Sequence, residues 1–276
     1  NKMPRFIRRN SKNACDLQKA IITNNWTEAR TIVKIMSGTC RKQTTAPSFF
    51  GQISEILPIH QACACKSLPL DFLEALVLAY PESVMKPETG LNRIPLHIAV
   101  KSQISKENIL YLLHYHPHSA KRKDSLGRVP LHYALSNLVP LNIISELIHA
   151  CPESVSAVDN FNWTPLHVAA NMCAPREVIS MLVQAGPEVI SMKTEGGSTP
   201  LKLAMESSSI DKDVIVSILT EGEKKFMSTP IFQNLGEAIR KEQENMRYGN
   251  HSDKVGDSTD YQCFIRKQLS YTSSVV

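Results

Sequence analysis

Four histidines stand at one recurring register of the chain: His60, His97, His132 and His167. An imidazole can ligate a metal, carry protons in catalysis, or hold backbone groups through its two ring nitrogens. Each of the four follows a proline by two positions, in Leu57-Pro58-Ile59-His60, Ile94-Pro95-Leu96-His97, Val129-Pro130-Leu131-His132 and Thr164-Pro165-Leu166-His167. Recurrence at one structural position favours the third role, a structural ladder that hydrogen-bonds the backbone between neighbouring units. His60 also stands near Cys63 and Cys65, which suggests a metal cluster at first sight. On a helix, however, His60 and Cys63 share a face and Cys65 points elsewhere. No second Cys/His pair has the spacing of a structural zinc site. Small cysteines filling helix contacts explain the group better, and no metal is expected.

Other chemistry is thinly represented. His114-Tyr115-His116-Pro117-His118 followed by Lys121-Arg122-Lys123 is the strongest basic cluster of the central region. Nuclear import, an acidic partner or a nucleic acid would each suit it. A solvated connection suits it better, since three charges in a row are common. The N-terminal basic residues Lys2, Arg5, Arg8, Arg9 and Lys12 have only Phe6 interleaved, which reads as a tail rather than a base-reading surface. There is no Gly-x-Ser-x-Gly, no phosphate loop and no dinucleotide fingerprint. The expectation is a protein with no catalytic residues and no cofactor. Ser274-Val275-Val276 has the hydroxyl-x-aliphatic form that PDZ domains bind, a weak signal because such tails arise by chance.

The elements that position these residues are set by an internal repeat. A fifth copy, Thr199-Pro200-Leu201-Lys202, keeps the tetrapeptide without its histidine, and the five prolines lie 37, 35, 35 and 35 residues apart. Ala62, Ala99, Ala134, Ala169 and Ala204 each follow a proline by four positions. A second marker recurs in step: Tyr80-Pro81-Glu82, His116-Pro117-His118, Cys151-Pro152-Glu153 and Gly186-Pro187-Glu188. Proline suits the first turn of a helix, where its missing N–H has no partner to lose. A small alanine one turn on lets neighbouring helices approach closely. A second helix follows, such as Pro140 to Cys151 or Pro175 to Ala185, with Ile143, Ile144, Leu147 and Ile148, or Val178, Ile179, Leu182 and Val183, at helical spacing. The later proline halts it. A polar, turn-rich stretch then carries Gly127, Asn162 and Gly197 at one repeat position, which predicts a backbone with positive φ.

The Thr-Pro-Leu-His-x-Ala signature, the helix pair and the turn-rich finger resemble the ankyrin repeat over about residues 55–222. The resemblance implies an all-α ankyrin-repeat solenoid of stacked helix–turn–helix units with hairpin-like fingers. Three departures stand out. The period is 35 rather than 33. Leu57, Ile94 and Val129 replace the threonine before the proline. Pro-Glu or a similar pair replaces the Gly-Ala-Asp after the second helix. Residues 14–54 read as a degenerate N-terminal repeat, with Trp26 to Val33 as its second helix and 37–52 as an enlarged loop. Residues 223–248 read as a C-terminal cap, with an amphipathic helix from Pro230 to Arg247. Residues 1–13 and 249–276 read as disordered tails.

Composition narrows the function further. Lys and Arg number 31 against 26 Asp and Glu, a net +5. Residues 1–54 carry ten against two, residues 55–220 carry 13 against 16, and the remainder balances. The repeat array is therefore slightly acidic, which argues against a basic nucleic-acid-binding body. No run of about 18 apolar residues exists to span a bilayer. The most apolar stretch, Leu68 to Tyr80, includes Asp71 and Glu74 and reads as a buried helix. Seven cysteines, odd in number and irregular in spacing, fit a reducing cytosol or nucleus.

The function expected is a monomeric, non-catalytic scaffold that binds a partner protein on the concave surface formed by fingers and first helices. The variable finger positions are the candidates for specificity: Leu91, Leu126 and Phe161 at one register, Arg93, Arg128 and Trp163 two residues later. Trp, Phe and Arg at such places resemble interface hot spots. Packing of Phe161 and Trp163 on the adjacent finger is the competing reading. Two further alternatives are a targeting module of a larger enzyme or signalling regulator, kept open by an Asn rather than Met start, and binding of an anionic partner through the basic N-terminal segment.

Overall fold

The structure is a computed structural model that describes residues 16–41, 43–47 and 53–229. The chain divides into two compact units after Thr220. The first contains the repeats. The tails at 1–13 and 249–276 and the helix expected from Pro230 lie outside the described residues.

Helix α1 covers 16–22 and α2 covers Trp26–Ile35. Asn25 caps α2, its side chain accepting the Glu28 N–H, and so satisfies one of the orphan donors of a helix start. A 3₁₀ turn (Ser37–Arg41) follows. Strands β1 (Thr44–Pro47) and β2 (Ile53–Ile56) then pair antiparallel, with Thr44 opposite Ile56 and Pro47 opposite Ile53. The stretch expected as a loop is thus partly a two-stranded finger. Five short helices begin at the five repeated prolines: α3 (Pro58–Cys63), α5 (Pro95–Ser102), α7 (Pro130–Ser136), α9 (Pro165–Asn171) and α11 (Pro200–Glu206). Second helices follow each: α4 (Leu70–Ala79), α6 (Lys106–Tyr115), α8 (Leu141–Ala150), α10 (Arg176–Ala185) and α12 (Lys212–Met227).

First helices pack on first helices from α3 through α11, and second helices on second helices from α2 through α10. Each unit therefore buries its apolar face only against its neighbours, which is why a single unit is not expected to be stable alone. The five repeated alanines are buried where first helices meet. A leucine there would overpack the contact at a cost of about 1–3 kcal/mol. Ile144, Leu147, Ile179 and Leu182 are buried between the layers, each stabilising the fold by roughly 1.5–3 kcal/mol through removal from water.

The prolines after the second helices do more than halt them. Pro81, Pro117, Pro152 and Pro187 each open a 3₁₀ turn, ending at Met85, Lys121, Ser156 and Ser191. The chain then enters the next finger, closed by one repeated main-chain bond. The Glu88, Asp124, Asp159 and Thr194 N–H groups donate to the Arg93, Arg128, Trp163 and Ser198 carbonyls, each at 3.0 Å. At the fingertips Asn92, Gly127, Asn162 and Gly197 have φ of 56°, 76°, 57° and 74°. Asparagine and glycine are the residues that tolerate this region.

Candidate functional site

The four histidines lie at the base of the fingers, all buried. Nδ1 of each accepts the N–H of the residue before its own proline: Leu57 (3.0 Å), Ile94 (3.2 Å), Val129 (3.3 Å) and Thr164 (3.1 Å). The ring proton is therefore on Nε2, which donates to a carbonyl of the next unit. The acceptors are Lys86 (2.9 Å), Arg128 (3.1 Å) and Trp163 (3.0 Å), while His167 divides its proton between Met192 and Ser198. Neutral imidazole alone can accept on one side and donate on the other. Burial pushes all four pKa values down to about 4, against weaker opposition from the carbonyl each ring faces and from the nearby carboxylates, Asp124 foremost at His97. Where threonine is missing, the histidine's own N–H donates instead to the carbonyl of the residue before the proline, Leu57, Ile94 or Val129, each at 3.0 Å. Thr164 keeps its cap, accepting the His167 N–H at 3.3 Å. In the fifth repeat Lys202 is exposed, and the Thr199 hydroxyl accepts its N–H.

A second periodic set, Glu88, Asp124, Asp159 and Thr194, escaped the sequence reading. These residues look like polar turn residues, yet all four are buried. Asp124 Oδ1 accepts the N–H groups of Leu126 and Arg128, and Asp159 Oδ1 those of Phe161 and Trp163, all at 2.9 Å. Glu88 accepts from Gly90 and Leu91 and pairs with Arg93 Nε at 2.8 Å. Burial would raise the Glu88 carboxyl, but the Leu91 N–H and Arg93 outweigh it and hold the group below its usual range. Their 35- or 36-residue spacing was the signal available. Each carboxylate fixes its finger, and the fingers are bonded in series: Thr89, Ser125, Asn160 and Glu195 N–H groups donate to the Glu55, Leu91, Leu126 and Phe161 carbonyls.

The six finger residues then separate. Arg93 is wholly buried against Glu88, so it is not part of an exposed binding surface. This corrects its assignment from register alone: a long acid at position 88 draws the guanidinium inward. Leu91 and Leu126 are half-buried and contribute their carbonyls to the finger series. Arg128, Phe161 and Trp163 converge on a cavity of about 260 Å³ between α7, α9 and their fingers, completed by His132, Asp159 and Met172. Phe161 is 53% exposed and Met172 38%. The Trp163 ring lies 6.1 Å from that of His167, so the indole is packed on one side and open to the cavity on the other.

The remaining candidates are elsewhere. His114, Tyr115, His118, Lys121, Arg122 and Lys123 are exposed around the end of α6 and the turn after it. Lys123 Nζ donates to the Val158 carbonyl at 2.9 Å. Cys63 is buried within α3, while the Cys65 thiol faces the Gln61 and Ile21 carbonyls. Among the described residues no three His, Cys, Asp or Glu side chains gather where they could hold one metal ion. No described helix is long and apolar enough to cross a membrane.

Residues 161–194 match the family model of the ankyrin repeat. That segment is the unit that keeps threonine, proline, leucine and histidine together, from Phe161 through α9 and α10 to Thr194. A comparison with curated proteins finds no match.

Proposed function

We propose that this ankyrin-repeat protein is a non-catalytic scaffold that binds a partner protein on the face made by its fingers and first helices. Ankyrin repeats are protein–protein interaction modules, and the solenoid here is of that kind. One observation carries the choice of surface: Arg128, Phe161 and Trp163, from two successive fingers, meet at one cavity with Met172, the residue that caps the end of α9, beside it. Aromatic and arginine side chains set in a partly enclosed recess are the residues that dominate binding energy in interfaces. The bonded finger series holds them in place before a partner arrives, which lowers the ordering cost of association. The five described cysteines are free thiols, which supports placing the protein in the cytosol or nucleus.

The test is affinity capture with the wild-type chain and a Trp163→Ala/Arg128→Ala variant whose helical content is checked by circular dichroism. Loss of a specific partner from the folded variant is the expected result. Unchanged recovery removes this surface from the account.

A further inference from the structure

We infer that the cavity takes an acidic side chain with an apolar neighbour from the partner, Arg128 receiving the carboxylate and Phe161, Trp163 and Met172 the apolar group. The inference rests on the partner-binding reading above and gives the partner its chemistry. The charge argument begins with Asp159. One of its oxygens already accepts two finger N–H groups at 2.9 Å, and the carboxylate is 3% exposed. Arg128 reaches it only at 3.5 Å through Nε and leaves its own side chain 39% exposed. Asp159 lines the same cavity but is far less exposed, so a ligand entering it meets chiefly the guanidinium. A planar guanidinium with outward N–H groups is built for bidentate contact with a carboxylate.

The surroundings agree in sign. The Lys101 ammonium, on α5 of the preceding unit, is held below its ordinary pKa by burial and then by the charges of Arg93 and Arg128. The positive charge of Arg128 is thus felt beyond its own finger, although the array as a whole is slightly acidic. The lining also includes Phe161 and Met172, both exposed enough to lose substantial contact with water when covered. Ser136 and Asn171 add polar lining. At about 260 Å³ the cavity is smaller than the usual small-molecule site and matches one or two side chains. An acidic peptide segment satisfies the guanidinium and the apolar lining at once.

The experiment is selection of a random 12-residue peptide library on the immobilised full chain, followed by titration of the enriched peptides. Because His97 uses the Arg128 carbonyl and not its side chain, Arg128→Gln leaves the ladder in place. Enriched peptides should carry Asp or Glu beside Leu, Ile, Met or Phe. Binding should fall roughly tenfold or more with Arg128→Gln, or when the peptide's Glu becomes Gln. Peptides without acids, or affinities indifferent to Arg128→Gln, overturn the inference. If such peptides still depend on Trp163, tested with Trp163→Ala, the partner surface stands and only its acidic chemistry fails. Binding indifferent to both substitutions, or an empty selection, counts against both readings.

Discussion

Mild acid should unfold this protein, and the histidine ladder sets where. Each of the four rings is neutral in the fold with a pKa of about 4, against 6.5 for a free histidine. Above pH 6.5 neither the folded nor the unfolded state binds a proton there, and the ladder's stability is fully present. As pH falls from 6.5 toward 4, the unfolded state takes up protons that the folded state refuses, so stability is lost. At pH 5 the loss is about 2 kcal/mol per ring, or about 8 kcal/mol for the four, from 1.36 kcal/mol per unit of pKa difference. Domains of this kind hold only about 5–15 kcal/mol in total. The assay is urea unfolding followed by circular dichroism at a series of pH values from 7.5 to 4.5. The midpoint should fall steeply below pH 6.5, with His132→Gln showing a shallower fall from a lower starting stability. Carboxylates held down by partners, such as Glu88, act below this window and do not mimic it. A midpoint that stays level between pH 7.5 and 5 refutes the assignment of buried neutral rings.

Four substitutions probe the rest of the framework by the same unfolding measurement. Gly127→Ala places a Cβ 2.6 Å from Asn160 Oδ1 and 2.9 Å from its nitrogen, at φ +76°. It should cost well over the roughly 1–2 kcal/mol of the left-handed backbone alone, whereas Gly197→Ala, with nothing within 4 Å, should cost about that much and no more. Ser154 buries a hydroxyl that has no partner among the described residues, and Val189 occupies the same place one repeat later. Ser154→Ala should therefore raise stability by about 1 kcal/mol, and a loss would show the hydroxyl to be bonded. Asp159→Ala orphans the Phe161 and Trp163 N–H groups and should cost about 3 kcal/mol; equal affinity of that variant for the captured partner would show that the finger need not be fixed.

The repeat made most of the solenoid legible in advance. Pro58, Pro95, Pro130, Pro165 and Pro200 are the first residues of five helices because proline is tolerated at few other helical positions. Gly127, Asn162 and Gly197 announced their positive φ by sharing one register. What stayed hidden depended on which way a polar side chain turns. Glu88, Asp124 and Asp159 sit in turn-like sequence, where acids are ordinarily solvated, yet here they turn inward to collect backbone donors. Arg93 shares its register with Arg128 but is buried, because its acid is Glu88 rather than an aspartate. The pairing of β1 with β2 was masked by Pro47 and Gly51, residues that read as loop. Register aligned Arg128, Phe161 and Trp163 as candidates, and only the packing of two fingers showed that they meet.

Oxidative footprinting of the chain with its captured partner tests the central claim most directly, because tryptophan, phenylalanine and methionine report their own exposure. Partner binding should protect Trp163, Phe161 and Met172 while leaving Leu78 of α4 and Tyr115 of α6 as reactive as in the free chain. Protection of Leu78 and Tyr115 with Trp163 and Met172 unchanged would place the partner on the second-helix layer and contradict the account.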